Sequence, residues 1–136
     1  MHPRKKIQFV KKYLTLLIII FISFTSYGEW IKTGENIDGD SDYFDIDRIK
    51  KIDEYVYYWI LIDYPKPTKW GDLSVVINMK GDCNLNRVKY LTFIYSKGSM
   101  NRGKKELSSP DDPEWNFVSS GSAARQQLDL ICNSLK

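Results

Sequence analysis

Glu54-Tyr55-Val56-Tyr57-Tyr58-Trp59-Ile60-Leu61-Ile62-Asp63-Tyr64 is the stretch that decides the fold. Aromatic and β-branched residues dominate it, and these types suit a pleated, half-buried surface. Both of its alternating sets are largely apolar, which predicts a central strand covered on both faces. Pro65 and Pro67 end it. Downstream, Leu73 to Lys80 alternates, with Leu73, Val75, Ile77 and Met79 on one side and Ser74, Asn78 and Lys80 on the other, Val76 excepted. That pattern predicts a strand with one buried and one wet face. Gly81-Asp82-Cys83-Asn84 interrupts it, and Arg87 to Tyr95 predicts the next strand, with Val88, Tyr90 and Ile94 opposite Leu91 and Phe93.

Upstream, Glu29 to Thr33 reads as a short strand stopped by Gly34, and Asn36 to Asp42 as a turn leading into a second short strand at Tyr43-Phe44. Asp45 to Ile49 makes a brief connection. Beyond the central strands, Ser96 to Lys105 is a polar, glycine-bearing loop. Pro110-Asp111-Asp112-Pro113 is a rigid turn before a short strand from Trp115 to Val118. The period then changes. Ala124, Leu128, Ile131, Cys132 and Leu135 fall on one helical stripe, with Ser122 as the N-cap. The expected fold is therefore α+β: an antiparallel sheet of about six strands, with one C-terminal helix packed on it.

The first 28 residues precede all of this and have a different character. A basic stretch up to Lys12 is followed by an apolar core from Leu14 to Phe24 and small residues ending Ser26-Tyr27-Gly28. That order predicts a cleavable signal peptide, residues 1–28, cut between Gly28 and Glu29. The apolar core is about half of the roughly 20 residues that a spanning helix needs. Residues 29–136 are then one exported domain, not an integral membrane protein after cleavage. Cys83 and Cys132 are the only cysteines, and an even count in an oxidising compartment predicts a disulfide between them. It would staple the helix to the sheet.

Charge and histidine content exclude several functions. Five of the 20 Lys and Arg, namely Arg4, Lys5, Lys6, Lys11 and Lys12, precede the first acid, Glu29. The exported part thus sets 15 basic side chains against 17 acidic ones, and the excess that a nucleic-acid binder needs is gone. The single histidine, His2, lies in the leader, so catalytic triads, Cys-His pairs and His-rich zinc sites have no imidazole to use. No catalytic residue, cofactor or metal site is expected, and the chain reads as a non-enzyme. Asp38-Gly39-Asp40-Ser41-Asp42 suggests calcium, yet the sixth and twelfth positions of the loop are Tyr43 and Ile49, where Gly and Glu are required. A turn with solvated acids is expected instead. Asp45 with Asp47, and Asp111, Asp112 and Glu114, read as caps and turn bonds. Lys104-Lys105 reads as a solubilising loop pair.

Exposed Tyr and Trp favour binding surfaces. Of the eleven Tyr and Trp residues that follow the leader, the candidates for a binding surface are those near strand ends and loops: Tyr64, Trp70 and Tyr95.

The exported part resembles the surface-adhesin protein E family of exported bacterial proteins. The resemblance is carried by Glu29-Trp30-Ile31-Lys32, then Tyr43-Phe44-Asp45 with Ile49, then Tyr58-Trp59-Ile60-Leu61-Ile62-Asp63-Tyr64 with Pro67. It continues through Asp82-Cys83 with Arg87, and through Trp115 ahead of Ser120-Gly121-Ser122 and the helix bearing Cys132. Gly81 and Ser120 depart from the family pattern. The resemblance implies a sheet with a C-terminal helix, a Cys83–Cys132 bridge and a homodimer as one available assembly. It also implies a protein partner, a host extracellular-matrix or serum protein such as laminin or vitronectin. The expected function is thus an adhesin-like, protein-binding module secreted to the periplasm or outer cell surface. The alternative is a periplasmic structural or assembly factor of the cell envelope, which would pair an edge strand with its partner.

Overall fold

The computed structural model describes residues 29–136, so the leader and its cut after Gly28 lie outside the described residues. Among the described residues eight strands form one antiparallel sheet: β1 (Trp30–Glu35), β2 (Ser41–Asp45), β3 (Lys50–Ile52), β4 (Tyr55–Asp63), β5 (Ser74–Asp82), β6 (Arg87–Ser96), β7 (Lys105–Ser108) and β8 (Asn116–Phe117). The order across the sheet is β1-β2-β4-β5-β6-β7. β2 and β3 share one edge of β4, pairing with residues 60–63 and 55–57 respectively. β7 and β8 share the outer edge of β6 in the same way. The sheet is therefore six positions wide, as the sequence predicts, although it contains eight strands. The helix, α1, runs Ala123–Ser134.

The register places Val56, Tyr58, Ile60 and Ile62 of β4 level with Gly81, Met79, Ile77 and Val75 of β5 on one face. α1 packs on that face through Leu128 and Ile131, both fully buried. Gly81 is what lets the helix approach. A Cβ there would stand 2.7 Å from Leu128 Cδ1 and 2.9 Å from Val56 Cγ2, closer than side chains tolerate. Ser122 caps the helix as expected, its Oγ accepting from the Arg125 N–H at 3.2 Å. Gln127, also buried, donates to Thr33 Oγ1 and to the Tyr43 carbonyl, both at 3.4 Å. At the other end of the helix, Cys132 is bonded to Cys83, just beyond β5.

Several expectations are corrected. β1 does not stop at Gly34 but passes through it, with a register shift between Lys32 and Gly34. β5 runs on through Gly81 and Asp82 instead of breaking at Gly81. In β6 a bulge opposite Asn78 and Met79 adds one residue, so Tyr90 and Phe93 share the helix face with Val88 and Tyr95 while Ile94 turns away. Strict alternation puts Tyr90 and Phe93 on opposite sides. β3 and β7 are two further strands that no alternation in the sequence marks, and the short strand near Trp115 contracts to Asn116–Phe117.

Candidate functional site

The face of the sheet opposite α1 is composed of cross-strand rows. At one end Leu61 and Val76 are buried, and the Ser99–Asn101 turn folds across. The Met100 N–H donates to Asp63 Oδ1 at 2.7 Å and the Asn101 N–H to Ser74 Oγ at 2.9 Å, closing that end. Nothing comparable covers the other end among the described residues. β4 is thus covered on both faces only in part. Tyr55, Tyr57 and Trp59 remain half-exposed, against the expectation of two buried faces.

Three rows make up this open region. The first is Trp30 and Asp45, paired between β1 and β2, with Trp59 one step beyond the last β2–β4 pair, Phe44 with Ile60. Asp45 makes a turn bond, as its place among turn residues predicts, and it is also completely buried. Its Oδ1 accepts from the Asp47 N–H at 2.9 Å and its Oδ2 from Arg48 Nε at 2.5 Å. The Arg48 guanidinium then lies 5.8 Å from the Trp30 ring and 5.0 Å from the Trp59 ring. The second row is Lys50, Tyr57, Lys80 and Lys89. The third is Ile52, Tyr55, Asp82, Arg87 and Phe117.

Trp115 folds over the second and third rows from the segment before β8. Its ring centre is 5.5 Å from that of Tyr55. Arg87, Lys89 and Lys80 approach the indole at 4.2, 4.9 and 5.6 Å. Lys80 also stands 4.3 Å from the Tyr55 ring. Arg87 Nε donates to Asp82 Oδ2 at 2.9 Å. Lys50, Lys80 and Lys89 have no carboxylate partner among the described residues. A cation–π contact at an exposed site is worth about 0.5–1 kcal/mol, which positions an ammonium without neutralising it. Burial acts to raise the Asp82 carboxyl, but Arg87 and the N–H groups of Leu85 and Asn84 outweigh it and hold the carboxyl below its ordinary value. The result is a platform of rings carrying more positive than negative charge, flanked by exposed Ile52 (51%) and Phe117 (73%).

The candidates named from sequence lie elsewhere. Tyr64 and Tyr95 are partly buried against the helix-side core, and Trp70 stands exposed beyond β4, with Lys69 4.3 Å from its ring. Burial and the nearby Asp40, Tyr95, Asp72 and Asp42 raise the Tyr64 hydroxyl. The structure brings Tyr64 and Tyr95 into one neighbourhood and does not join them to the open rows. The signal for the rows was present in the wet half of β5. Once Lys80 is on the wet side, its pairing with β4 puts Tyr57 beside it.

The remaining constellations are structural. Asn36 organises the acidic turn, its Oδ1 accepting from the Asp38 and Asp40 N–H groups at 3.0 and 2.9 Å. A groove beside the disulfide carries both signs of charge from Lys51, Asp53, Glu54, Asp129 and Lys136. None of the acids considered for acid–base work lines it.

The family model of surface-adhesin protein E matches residues 30–133. The chain belongs to that family. Every ring of the open rows and both cysteines fall inside the matched span. The surface-adhesin E fold recurs in Haemophilus influenzae protein E. Crystal form II of that protein is 14% identical with a TM-score of 0.58, over 77% of this chain and 87% of that one. Protein E from non-typeable Haemophilus influenzae gives 13% and 0.57, over 76% and 75%. At such identity the likeness concerns the fold. No curated protein matches the sequence significantly. No helix long and apolar enough to cross a membrane occurs among the described residues.

Proposed function

We propose that this surface-adhesin E chain is an exported, non-enzymatic module that binds a host extracellular-matrix or serum protein through the sheet face opposite α1. The observation that carries this reading is that face itself. Trp30, Tyr55, Tyr57 and Trp59 are held there on paired strands, with Trp115 folded over them, all half-exposed on the side of the sheet away from α1. Rigid aromatic side chains give large contact area at low conformational cost, which is why they dominate binding hot spots. Tyr64, Trp70 and Tyr95 form a secondary candidate surface at the opposite end of β4.

The test uses residues 29–136 on immobilised laminin, vitronectin and other matrix proteins, with a boiled and reduced control. Saturable binding that falls at least about tenfold in Trp115→Ala with Tyr57→Ala supports the proposal. Absence of saturable binding to every protein tried rules it out.

One observation favours a second reading, a periplasmic assembly factor. β7 is an edge strand with all four residues exposed, so its free backbone edge is open to strand addition. Protease digestion of intact cells separates the two. A host adhesin is cut on intact cells, whereas an assembly factor is cut only after the outer membrane is permeabilised.

A further inference from the structure

We infer that the partner presents an extended acidic polypeptide segment bearing apolar side chains, clasped by Lys80, Arg87 and Lys89 around Trp115. This rests on the reading that the open face binds protein, and it names the chemistry of the bound segment. Three cations converge on one indole, yet only Arg87 has a carboxylate, Asp82, and that carboxylate is buried. Lys80 and Lys89 sit on neighbouring strands at paired positions, so their backbones are about 5 Å apart and their ammonium groups repel one another. The rings hold them in place without discharging them. An anion brought in from outside would relieve that repulsion and strengthen in the lower dielectric of a covered surface.

The geometry selects a polypeptide over other polyanions. Arg87 and Lys89 are two residues apart on β6, a step of about 6.8 Å, which is the spacing of alternate side chains in any extended chain. A strand with acids at alternate positions matches it. Phe117, exposed on β8 directly beside Arg87, offers such a segment an apolar contact as well. A sulfated polysaccharide supplies anions and no apolar side chain to cover that ring.

Fluorescence anisotropy of a labelled Glu-rich peptide interspersed with Leu tests this on residues 29–136. A Gln-for-Glu version of the peptide, and heparin, serve as comparators. The expected result is saturable binding of the Glu peptide that weakens about tenfold between about 50 and 500 mM salt, as a charge-driven contact should. The double variant Lys80→Gln with Lys89→Gln should lose about tenfold in affinity, and Lys66→Gln, remote from the face, should lose nothing. The Gln peptide should bind poorly, an outcome that needs no protein variant. Equal binding of Glu and Gln peptides overturns the inference, as does undiminished binding by the double variant. Heparin binding that depends on Lys80 and Lys89, in the absence of peptide binding, also overturns it. So does self-association in sedimentation that the double variant abolishes, which would make a second copy the occupant. If matrix-protein binding survives in the double variant and the peptide does not compete, this inference fails and the broader reading stands. If nothing is bound at all, the broader reading itself fails.

Discussion

Asp82 links the core of the molecule to its open face. Its Oδ1 accepts from the Asn84 and Leu85 N–H groups at 3.1 and 3.2 Å, closing the β5–β6 turn, while Oδ2 holds Arg87 against Trp115. These donors keep the carboxyl below its ordinary value even though burial pushes the other way. The sign of the pH effect follows. A carboxyl whose folded value is depressed contributes its full stability above the unfolded value of about 4, and loses it as the pH falls through the folded value. Asp82→Asn should therefore cost about 2 kcal/mol near neutrality, the scale of a buried hydrogen bond to a charged group. The difference from wild type should narrow as the pH drops below about 4. Urea midpoints for both proteins across that range check it, and a gap that stays constant into strong acid would refute the assignment. At this scale the sequence was only partly legible. Tyr55, Tyr57 and Trp59 are as apolar in composition as the residues of a buried face, so alternation alone cannot show that cations, not a second layer, are what meets them. Asp45 was legible in one respect only: its bond to the Asp47 N–H is the turn bond that its position suggests, whereas its complete burial and its pairing with Arg48 are not displayed by spacing.

Among the elements, α1 shows most clearly which interactions matter. A helix of 12 residues is marginal by itself in water, so packing must supply most of its stability. Removing the cap with Ser122→Ala should cost about 1 kcal/mol. Leu128→Ala empties a site with no exposed surface, against Val56, Tyr58 and Gly81, and should cost about 3 kcal/mol. Chemical denaturation of both variants measures the ratio, and equal losses would mean that the helix does not depend on the sheet. Legibility divided along the same line. α1, β4 and β5 were readable because burial imposes a period on their apolar residues. β3 and β7 were not, since every one of their residues is exposed and no buried face remained to mark an alternation. β6 has a clear pattern that its bulge breaks, and from Leu91 onward the faces exchange. A single inserted residue leaves no compositional trace, so the exchange is visible only in the pairing with β5.

On the scale of the whole molecule, the sheet is covered asymmetrically. One face is closed by a helix, and the other keeps a half-exposed platform. The helix is held at its start by Ser122 and Gln127 and near its end by the bond between Cys132 and Cys83, 49 residues apart in the chain. In the chain-entropy model a loop of that length makes the bridge worth roughly 4 kcal/mol. Small domains have net stabilities of about 5–15 kcal/mol, so the bridge is a large share of the total. Cys83→Ser with Cys132→Ser should lower Tm by roughly 20 °C in a protein of this size. The rows of the open face are set by strand pairing and by Trp115, none of which passes through the sulfurs. The double variant should therefore bind its partner with unchanged affinity at temperatures well below its lowered Tm. Calorimetry and a binding isotherm on the same preparation decide both halves. A fall of only a few degrees would mean that the sheet holds the helix without the bridge. Weakened binding by protein that is still folded would mean that the helix side shapes the open face after all.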